Sequence, residues 1–154
     1  MNNREQVSFW LKRYGQKSGK FFELRDGIFA AKDEKGQEYV VDVPEVSDKI
    51  YLCSPIVYLN NPETKASDLK RCMQWNLYGQ ETYGGTLGLD KNSDRVIFHK
   101  TLDIHTLDEN SFASHFNDFI RSVQHVQTLW EDYQRTQINS DNSEDFKFDP
   151  YFRV

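Results

Sequence analysis

Apolar residues recur at helical spacing in several stretches of the chain, and between these stretches they alternate with polar residues. The longest helical series alternates steps of four and three residues, and its members are Phe112, Phe116, Phe119, Val123, Val126, Trp130 and Tyr133. A shorter series near the N terminus consists of Val7, Trp10, Leu11 and Tyr14. These series predict a long last helix and a first helix, which Asn3 and Gln6 can cap. Several phenylalanines on one seam favour packing of the last helix against a sheet over a coiled coil.

Alternating apolar and polar positions predict five strands, at 28–32, 38–43, 49–59, 82–89 and 95–102. The third is apolar on both faces, which is typical of the middle of a packed sheet or of an interface, and Pro55 predicts a bulge or a bend in it. The last two form a hairpin whose first strand contains Gly84, Gly85 and Gly88. Glycines weaken a strand, so they indicate a bulge or the close approach of another backbone.

A middle helix is predicted to begin at the turn Asn61-Pro62-Glu63, where an asparagine cap precedes a proline and an acidic residue. It runs to about residue 78. Its inward positions are expected to be Ala66, Leu69, Cys72, Met73 and Leu77. Trp75 falls on a different side, and a large aromatic residue there favours a dimer contact, with partial burial against a loop as the alternative.

The resulting element order is α-β-β-β-α-β-β-α, which predicts an α+β fold with a twisted antiparallel sheet packed against helices. One domain is expected over residues 1–135, because the chain of 154 residues suits a single core. Residues 136–154 are polar at first, which predicts a flexible tail. Its end is aromatic and can fold back onto an apolar groove of its own or a neighbouring molecule, through Phe146, Phe148, Tyr151 and Phe152.

Net charge argues against nucleic acid as a partner, because the formal charge is −5 and a phosphate-binding surface needs clustered cations. No apolar run approaches the roughly 18 residues of a membrane span, so no membrane partner is expected. Cys53 and Cys72 are far apart and form no CxxC motif, which predicts reduced thiols. With no signal-like N terminus, these features predict a location in the bacterial cytoplasm.

Sequence motifs for enzymes are missing. The chain has no HExxH, Walker or GxSxG motif. The segment 90–94 resembles the first ligands of a calcium loop, but Arg95 stands where the loop needs glycine and Thr101 where it needs glutamate. The sequence therefore predicts no catalytic site, no metal and no cofactor, and it places the function on the surfaces of the protein.

Residues 74–102, and in particular the stretch GGTLGLD followed by a polar turn and an apolar strand, carry a resemblance to a known family. Together with the long final helix, they resemble the class I type III secretion chaperones, the Tir-chaperone family of small dimeric α/β proteins. The resemblance covers roughly residues 4–135. It implies the same element order and a homodimer built around the second helix and the next strand, at Cys72, Trp75, Leu77, Thr86, Leu87 and Gly88.

The resemblance also implies a partner, the disordered N-terminal region of a secreted effector that wraps around the dimer in extended form. The matching groove residues are Val7, Trp10, Leu11, Tyr14, Ile28, Ala30, Tyr39 and Val41, and about half of them are expected to be core. Two alternatives stay open at this point. One is a small regulatory or interaction domain of the same fold without a secretion role, and the other is an enzyme with an unrecognised site.

Overall fold

A five-stranded antiparallel sheet carries the apolar core on one of its faces, and helices pack on that face. A computed structural model describes residues 1–140. The elements are α1 Asn3–Gln16, β1 Ile28–Lys32, β2 Glu38–Asp42, β3 Lys49–Tyr58, α2 Lys65–Asn76, β4 Thr86–Leu89, β5 Arg95–Asp103 and α3 Glu109–Ser140, with 3-10 turns at Leu77–Gly79 and Ile104–Thr106. The predicted α+β fold class and element order are confirmed.

The strand order in the sheet is β1-β2-β3-β5-β4, and all neighbouring strands are antiparallel. The apolar strand β3 lies at the centre, as predicted. Its register against β5 shifts between Pro55 and Val57, which confirms the bulge predicted at the proline. Because proline has no N–H to give to the sheet, a bulge is the place where an interior strand accommodates it.

The apolar seam of α3 joins the other elements into one core. Phe119 stacks on Phe98 of β5 with ring centroids 5.7 Å apart, and Phe112 stacks on Trp10 of α1 at 5.6 Å. Every predicted seam residue from Phe112 to Val126 is buried. The helix therefore packs against the sheet, as the sequence predicts, and not as one strand of a coiled coil.

Two helices begin elsewhere than predicted. The cap of α1 is Asn2, whose side chain accepts from the N–H of Glu5 at 2.9 Å while the Glu5 carboxylate accepts from the N–H of Asn2 at 2.8 Å. This reciprocal pair lies one residue before the predicted one. The side chain of Asn61 accepts from the N–H of Glu63 at 3.0 Å. That local bond holds a turn, so α2 begins only at Lys65.

The last helix runs past residue 135, where the sequence predicts the domain to end, since α3 continues to Ser140. The proposed tail and its aromatic residues from 141 onward lie outside the described residues, so those predictions stay predictions.

The inward face of α2 is only partly the predicted one, since Cys72 is buried and Leu69 packs against the core as expected, but Trp75 also faces inward. Trp75 is only 8% exposed and meets Trp130 and Tyr133 of α3 edge-on, at centroid distances of 6.4 and 6.1 Å. Met73 and Leu77, expected inside, are 73% and 64% exposed. The inward face is therefore centred on the side of Cys72 and Trp75 and excludes Met73 and Leu77. The indole offers more apolar area to α3 than the smaller residues on the other side.

Gly85 of the hairpin is explained by packing within one copy of the chain. Strand β4 begins at Thr86, later than predicted, because residues 82–85 form a turn in which Gly85 N–H donates to the Thr82 carbonyl at 3.0 Å. A Cβ atom on Gly85 would lie 2.2 Å from the Phe98 ring. The close neighbour is therefore this core phenylalanine, and the predicted approach of a second backbone is not needed to explain the glycine.

We expect Gly85→Ala to lower the free energy of unfolding by about 1–3 kcal/mol, because the new methyl group overpacks the core against Phe98. Gly88→Ala is the matched control, since its Cβ would lie 3.5 Å from the nearest atom, in His99, an ordinary contact distance. Urea denaturation of both variants measures the difference. Equal losses in the two would contradict the packing role given to Gly85.

Candidate functional site

The eight residues predicted for the effector groove fall into three environments. Four of them belong to the interior core and are at most 4% exposed: Val7, Trp10, Leu11 and Val41. Tyr14 and Tyr39 line a pocket on the core side of the sheet. Ile28, 49% exposed, and Ala30 lie on the opposite face. The structure thus brings together only part of the predicted set.

The pocket opens between the end of α1, strand β1 and the first half of α3, and it encloses about 190 Å³. Phe22 and Phe29 are in ring contact at 4.6 Å, and Tyr14 meets Phe116 edge-on at 5.0 Å. We call it the aromatic pocket, defined by Tyr14, Phe22, Phe29, Tyr39, Phe116 and Ile120. A space of this size and lining suits one large apolar side chain.

The sequence patterns did not predict several residues that line the aromatic pocket. Phe22 comes from the loop between α1 and β1, where no period marks it, and Ile120 lies beside the seam of α3. One signal was present: two consecutive aromatic residues, Phe21 and Phe22, in an otherwise polar loop. Phe21 is 73% exposed and Phe22 turns inward onto Tyr14, with ring centroids 6.3 Å apart.

The rim of the aromatic pocket is charged. Asp33 accepts from the N–H groups of Lys35 and Gln37, both at 2.9 Å, and from the Tyr39 hydroxyl at 3.3 Å. Burial and the Asp33 carboxylate raise the pKa of Tyr39 to about 12, so the phenol is neutral at physiological pH. Lys20 and Lys32 complete the rim. Neither lysine forms an ion pair within residues 1–140.

The two edges of the sheet differ. At the β4 edge, the Asn76 side chain donates to the Leu87 carbonyl and accepts from the Leu87 N–H, both at 2.8 Å. The Asn76 amide thus occupies both outer backbone groups of Leu87, as a neighbouring strand would. In this way α2 blocks the addition of another strand to β4 at this residue.

Strand β1 forms the other edge, next to the aromatic pocket. At its start, the N–H of Ile28 donates to the Arg25 carbonyl at 3.0 Å and the Ile28 carbonyl accepts from the Arg25 N–H at 2.8 Å. The remaining outer backbone groups, at Ala30 and Lys32, can pair with an extended peptide.

The second face of the sheet is only partly covered. Alternate residues of the strands point to it, and the apolar ones are half-buried or exposed: Ile28, Ala30, Val40, Tyr51, Cys53 and Ile97. We call this surface the open face. It meets the aromatic pocket at β1, because neighbouring β1 residues point to opposite sides of the sheet.

A third apolar surface surrounds the end of α2. The exposed large residues there are Met73, Leu77, Tyr78 and Leu89, and we call this set the α2–β4 surface. Tyr78 is 86% exposed with φ of +61°, a left-handed conformation that is unfavourable for a bulky residue. The fold therefore keeps the Tyr78 ring exposed to solvent in a strained backbone conformation.

The predicted dimer residues are divided between the interior and this surface. Leu77 and Thr86 are exposed and Gly88 is half-buried. Cys72, Trp75 and Leu87 are at most 8% exposed within one copy. These three can support the α2–β4 surface from beneath, and the expectation that Trp75 itself faces outward is wrong.

Cysteine chemistry gives no support for a nucleophile. Burial raises the pKa of both Cys53 and Cys72 to about 11, which suppresses the reactive thiolate. Within residues 1–140, no group of three or more histidine, cysteine or acidic side chains is arranged to hold a metal ion. No helix in this part of the chain is long and apolar enough to cross a membrane.

Comparison with known proteins identifies the family. A model of the Tir chaperone protein (CesT) family matches residues 11–127, so the chain belongs to this family of chaperones. The comparison with curated protein sequences gave no match.

Solved structures share the fold at low sequence identity. They include the ExsC–ExsE complex, at 12% identity and a TM-score of 0.62, covering 84% of this chain and 96% of the other. The HopA1–SchA chaperone–effector complex matches at 8% identity and 0.63, covering 83% and 99%. An uncharacterized protein from Methanothermobacter thermautotrophicus matches at 14% and 0.54, covering 86% and 97%. These likenesses confirm the fold.

The raised pKa of Tyr39 makes a prediction for stability at high pH. Folding favours the protonated phenol, so its contribution is complete below the ordinary pKa of 10 and is lost as pH rises through about 12. Tyr39→Phe cannot ionise. We therefore expect the unfolding free energy of the wild type, relative to this variant, to fall between about pH 9 and pH 11. Urea denaturation at both values tests it; a constant difference would contradict the assigned burial.

Proposed function

We propose that this protein is a type III secretion chaperone that binds the N-terminal chaperone-binding region of an effector. Acting as a homodimer in the bacterial cytoplasm, it keeps the effector soluble and competent for secretion. Family membership supports the class. The observation that carries the binding site is the position of the β1 edge, which is open beyond the Arg25–Ile28 bridge, directly beside the aromatic pocket.

An extended effector segment would bind as a sixth strand along β1. Main-chain hydrogen bonds would hold it without regard to sequence, and alternate side chains would point to opposite sides of the sheet. One set would enter the aromatic pocket, while the other would lie over Ile28 and Ala30 on the open face. This geometry explains how predicted residues on both faces contribute to a single site.

The free energies involved indicate that one buried apolar side chain of the effector gives too little affinity. Each main-chain hydrogen bond contributes a net of about 0.5–1.5 kcal/mol, while ordering one residue of the segment costs about 1–2 kcal/mol. A fully buried apolar side chain adds about 1.5–3 kcal/mol. The bonds and the ordering cost nearly cancel, so net affinity depends on how many apolar side chains the effector buries. A chaperone of this design recognises apolar spacing more than particular residues.

The α2–β4 surface is the place for the second copy. Its exposed residues are clustered around one helix end, and an apolar patch of this kind is typical of an interaction site. The β4 edge next to it is closed by Asn76. We therefore expect side chains of α2 and its following turn, not continuous strand pairing, to form the contact between copies.

Effector binding is tested with Ile120→Glu, which places a carboxylate in the aromatic pocket. The N-terminal fragments of secreted proteins encoded beside this gene are co-expressed with the chaperone, and affinity is measured by calorimetry. We expect at least about tenfold weaker binding, because a buried unpaired charge costs several kcal/mol. Ser114→Glu adds the same group at an exposed position of α3 and is expected to bind normally. Equal binding by both variants would remove the pocket from the site.

The homodimer is tested by light scattering. The wild type is expected to have twice the chain mass of 18.2 kDa. Leu77→Glu should shift it to a monomer, because the charge would be desolvated at the interface. Val46→Glu is the control, since Val46 is 97% exposed in the loop between β2 and β3. A wild-type monomer, or a dimer in the Leu77 variant, would contradict this interface.

A regulatory or interaction domain without a secretion role is the second candidate. The observation in its favour is the shared fold of the uncharacterized Methanothermobacter thermautotrophicus protein. The same edge and pocket would then bind a protein that is not secreted. Deleting the gene distinguishes the two: effector export falls if the protein is a secretion chaperone and is unchanged if it is not.

A further inference from the structure

The first turn of α2 contains a buried acidic side chain without an ion partner. Asp68 is only 9% exposed, and within residues 1–140 it takes part in no ion pair. The Tyr133 hydroxyl lies next to its carboxylate, and burial raises the pKa of this phenol, so the neighbour is neutral. A buried carboxylate costs free energy unless a cation pairs with it. The surroundings of Asp68 therefore favour a cationic ligand.

The position of Asp68 at the start of a helix explains only part of this arrangement. A negative side chain in the first turn interacts favourably with the helix dipole. An exposed acid does so without losing its hydration, and Glu63, just before the Thr64 cap, is exposed. The dipole therefore accounts for an acid at this end of α2, but it does not require that the acid be buried against aromatic rings.

Asp68 lines a groove between the start of α2, the end of β3 and the last turns of α3, and this groove encloses about 340 Å³. We call it the Asp68 groove. Its aromatic lining consists of the exposed Tyr58, the half-buried Trp130 and Tyr133. No lysine or arginine of residues 1–140 lines it. The Arg71 guanidinium already stands over the Tyr133 ring, 5.0 Å from its centroid, which shows that these rings attract cations.

The chemistry of the Asp68 groove suits arginine better than lysine. A guanidinium group is planar, so it can lie against an aromatic ring while it donates two parallel N–H bonds to a carboxylate. The side-chain amide of Asn60 also lines the groove, and its oxygen can accept a further N–H. A lysine ammonium is more strongly hydrated and has no planar face. The ligand that fits the groove is therefore an arginine side chain.

An acidic path leads from the aromatic pocket to the Asp68 groove along one side of α3. The residues on this side follow each other in steps of four and three: Ile120, Gln124, Gln127, Glu131, Gln134 and Ile138. Between the two sites lies a polar groove, which has Asp33, Glu34 and Glu131 in its lining against a single cation, Lys35. A segment that follows this path meets mainly negative charge, so a basic segment fits it.

The length of the path sets the spacing of the two anchors. From Ile120 to Gln134 the helix rises about 21 Å, at 1.5 Å per residue. Extended chain spans about 3.3–3.6 Å per residue, so about six residues cover this distance. Leu77 of the α2–β4 surface is about 13 Å from Asp68 along α2, so a contact between copies on that surface leaves the Asp68 groove accessible.

We propose that the Asp68 groove binds an arginine side chain of the effector, about six residues from the side chain that enters the aromatic pocket. Asp68 pairs with the guanidinium group, and the rings of Tyr58 and Trp130 lie against it. This arginine gives the effector a second anchor of a different chemistry. The effector as the source of the arginine rests on the proposed function, whereas the preference of the groove for arginine does not.

The preference for arginine is tested by NMR titration of the full-length protein with N-acetyl-arginine methylamide, with the indole N–H signal of Trp130 as the readout. N-acetyl-citrulline methylamide has the same shape without the charge and is the matched ligand control. We expect saturable shifts with the arginine compound and at least about tenfold weaker binding of the citrulline compound, because the charge-assisted bonds are lost. Equal binding of the two compounds, or no shift with the arginine compound, would overturn the proposal.

The position is tested with Asp68→Asn, which removes the charge and keeps the shape. We expect it to bind the arginine compound at least about tenfold more weakly. Glu63→Gln is the matched control, since it removes an exposed charge near the same helix start, and it should stay within about twofold of the wild type. Should Asp68→Asn unfold the chain, Tyr58→Lys places a tethered ammonium at the mouth of the groove and should block binding. Wild-type affinity in the folded variant would overturn the proposal.

The source of the arginine is tested with the same N-terminal effector fragments and calorimetry as above. We expect Asp68→Asn to bind a fragment at least about tenfold more weakly than the wild type and Glu63→Gln do. Equal binding by all three proteins would overturn the assignment of the arginine to the effector. Fragments that bind none of them would contradict the proposed function, while the titration with the arginine compound would still decide whether the groove binds arginine.

Discussion

The rest of the structure depends on the contact between the apolar seam of α3 and one face of the sheet. This helix stacks Phe112 on Trp10 of α1 and Phe119 on Phe98 of β5, and its Trp130 meets Trp75 of α2 edge-on. Each of the other elements buries its apolar side against α3 or the strands beneath it. A single layer of helices thus completes one core. The apolar surfaces that this layer leaves exposed are the candidate binding surfaces.

The β4 and β1 edges of the sheet differ, and this difference determines which kind of partner each candidate surface suits. Asn76 satisfies the backbone of Leu87 and attaches α2 to β4, so that end of the sheet presents side chains. Strand β1 bonds to Arg25 at Ile28 and presents free backbone groups beyond it, with the aromatic pocket on one side and the open face on the other. The β4 end therefore suits contact between the side chains of two folded copies. The β1 end suits an unfolded partner that adds a strand to the sheet.

Local patterns predicted the elements better than the contacts between them. The four-three spacing identified the α3 seam, and alternation located β1 at its observed bounds. The inward position of Trp75 in α2 was missed, because periodicity does not show which side chain meets Trp130. The Gly85–Phe98 contact and the Asn76–Leu87 pair join residues 11–13 positions apart without any local signal. The aromatic pocket takes residues from several separate segments, so the sequence supplied only Tyr14 and Tyr39.

The part of the β1 edge beyond the Arg25–Ile28 bridge also bears on how this protein stays dispersed when it has no partner. An exposed strand beside half-buried apolar residues is a template for edge-to-edge association between copies. The strand is only five residues long, ends at Lys32 and is followed by the charged turn Asp33–Lys35. Together with a net charge of −5, these features oppose stacking of one β1 on another. Colloidal stability is therefore lowest near the isoelectric point of about 5.4, where that repulsion disappears.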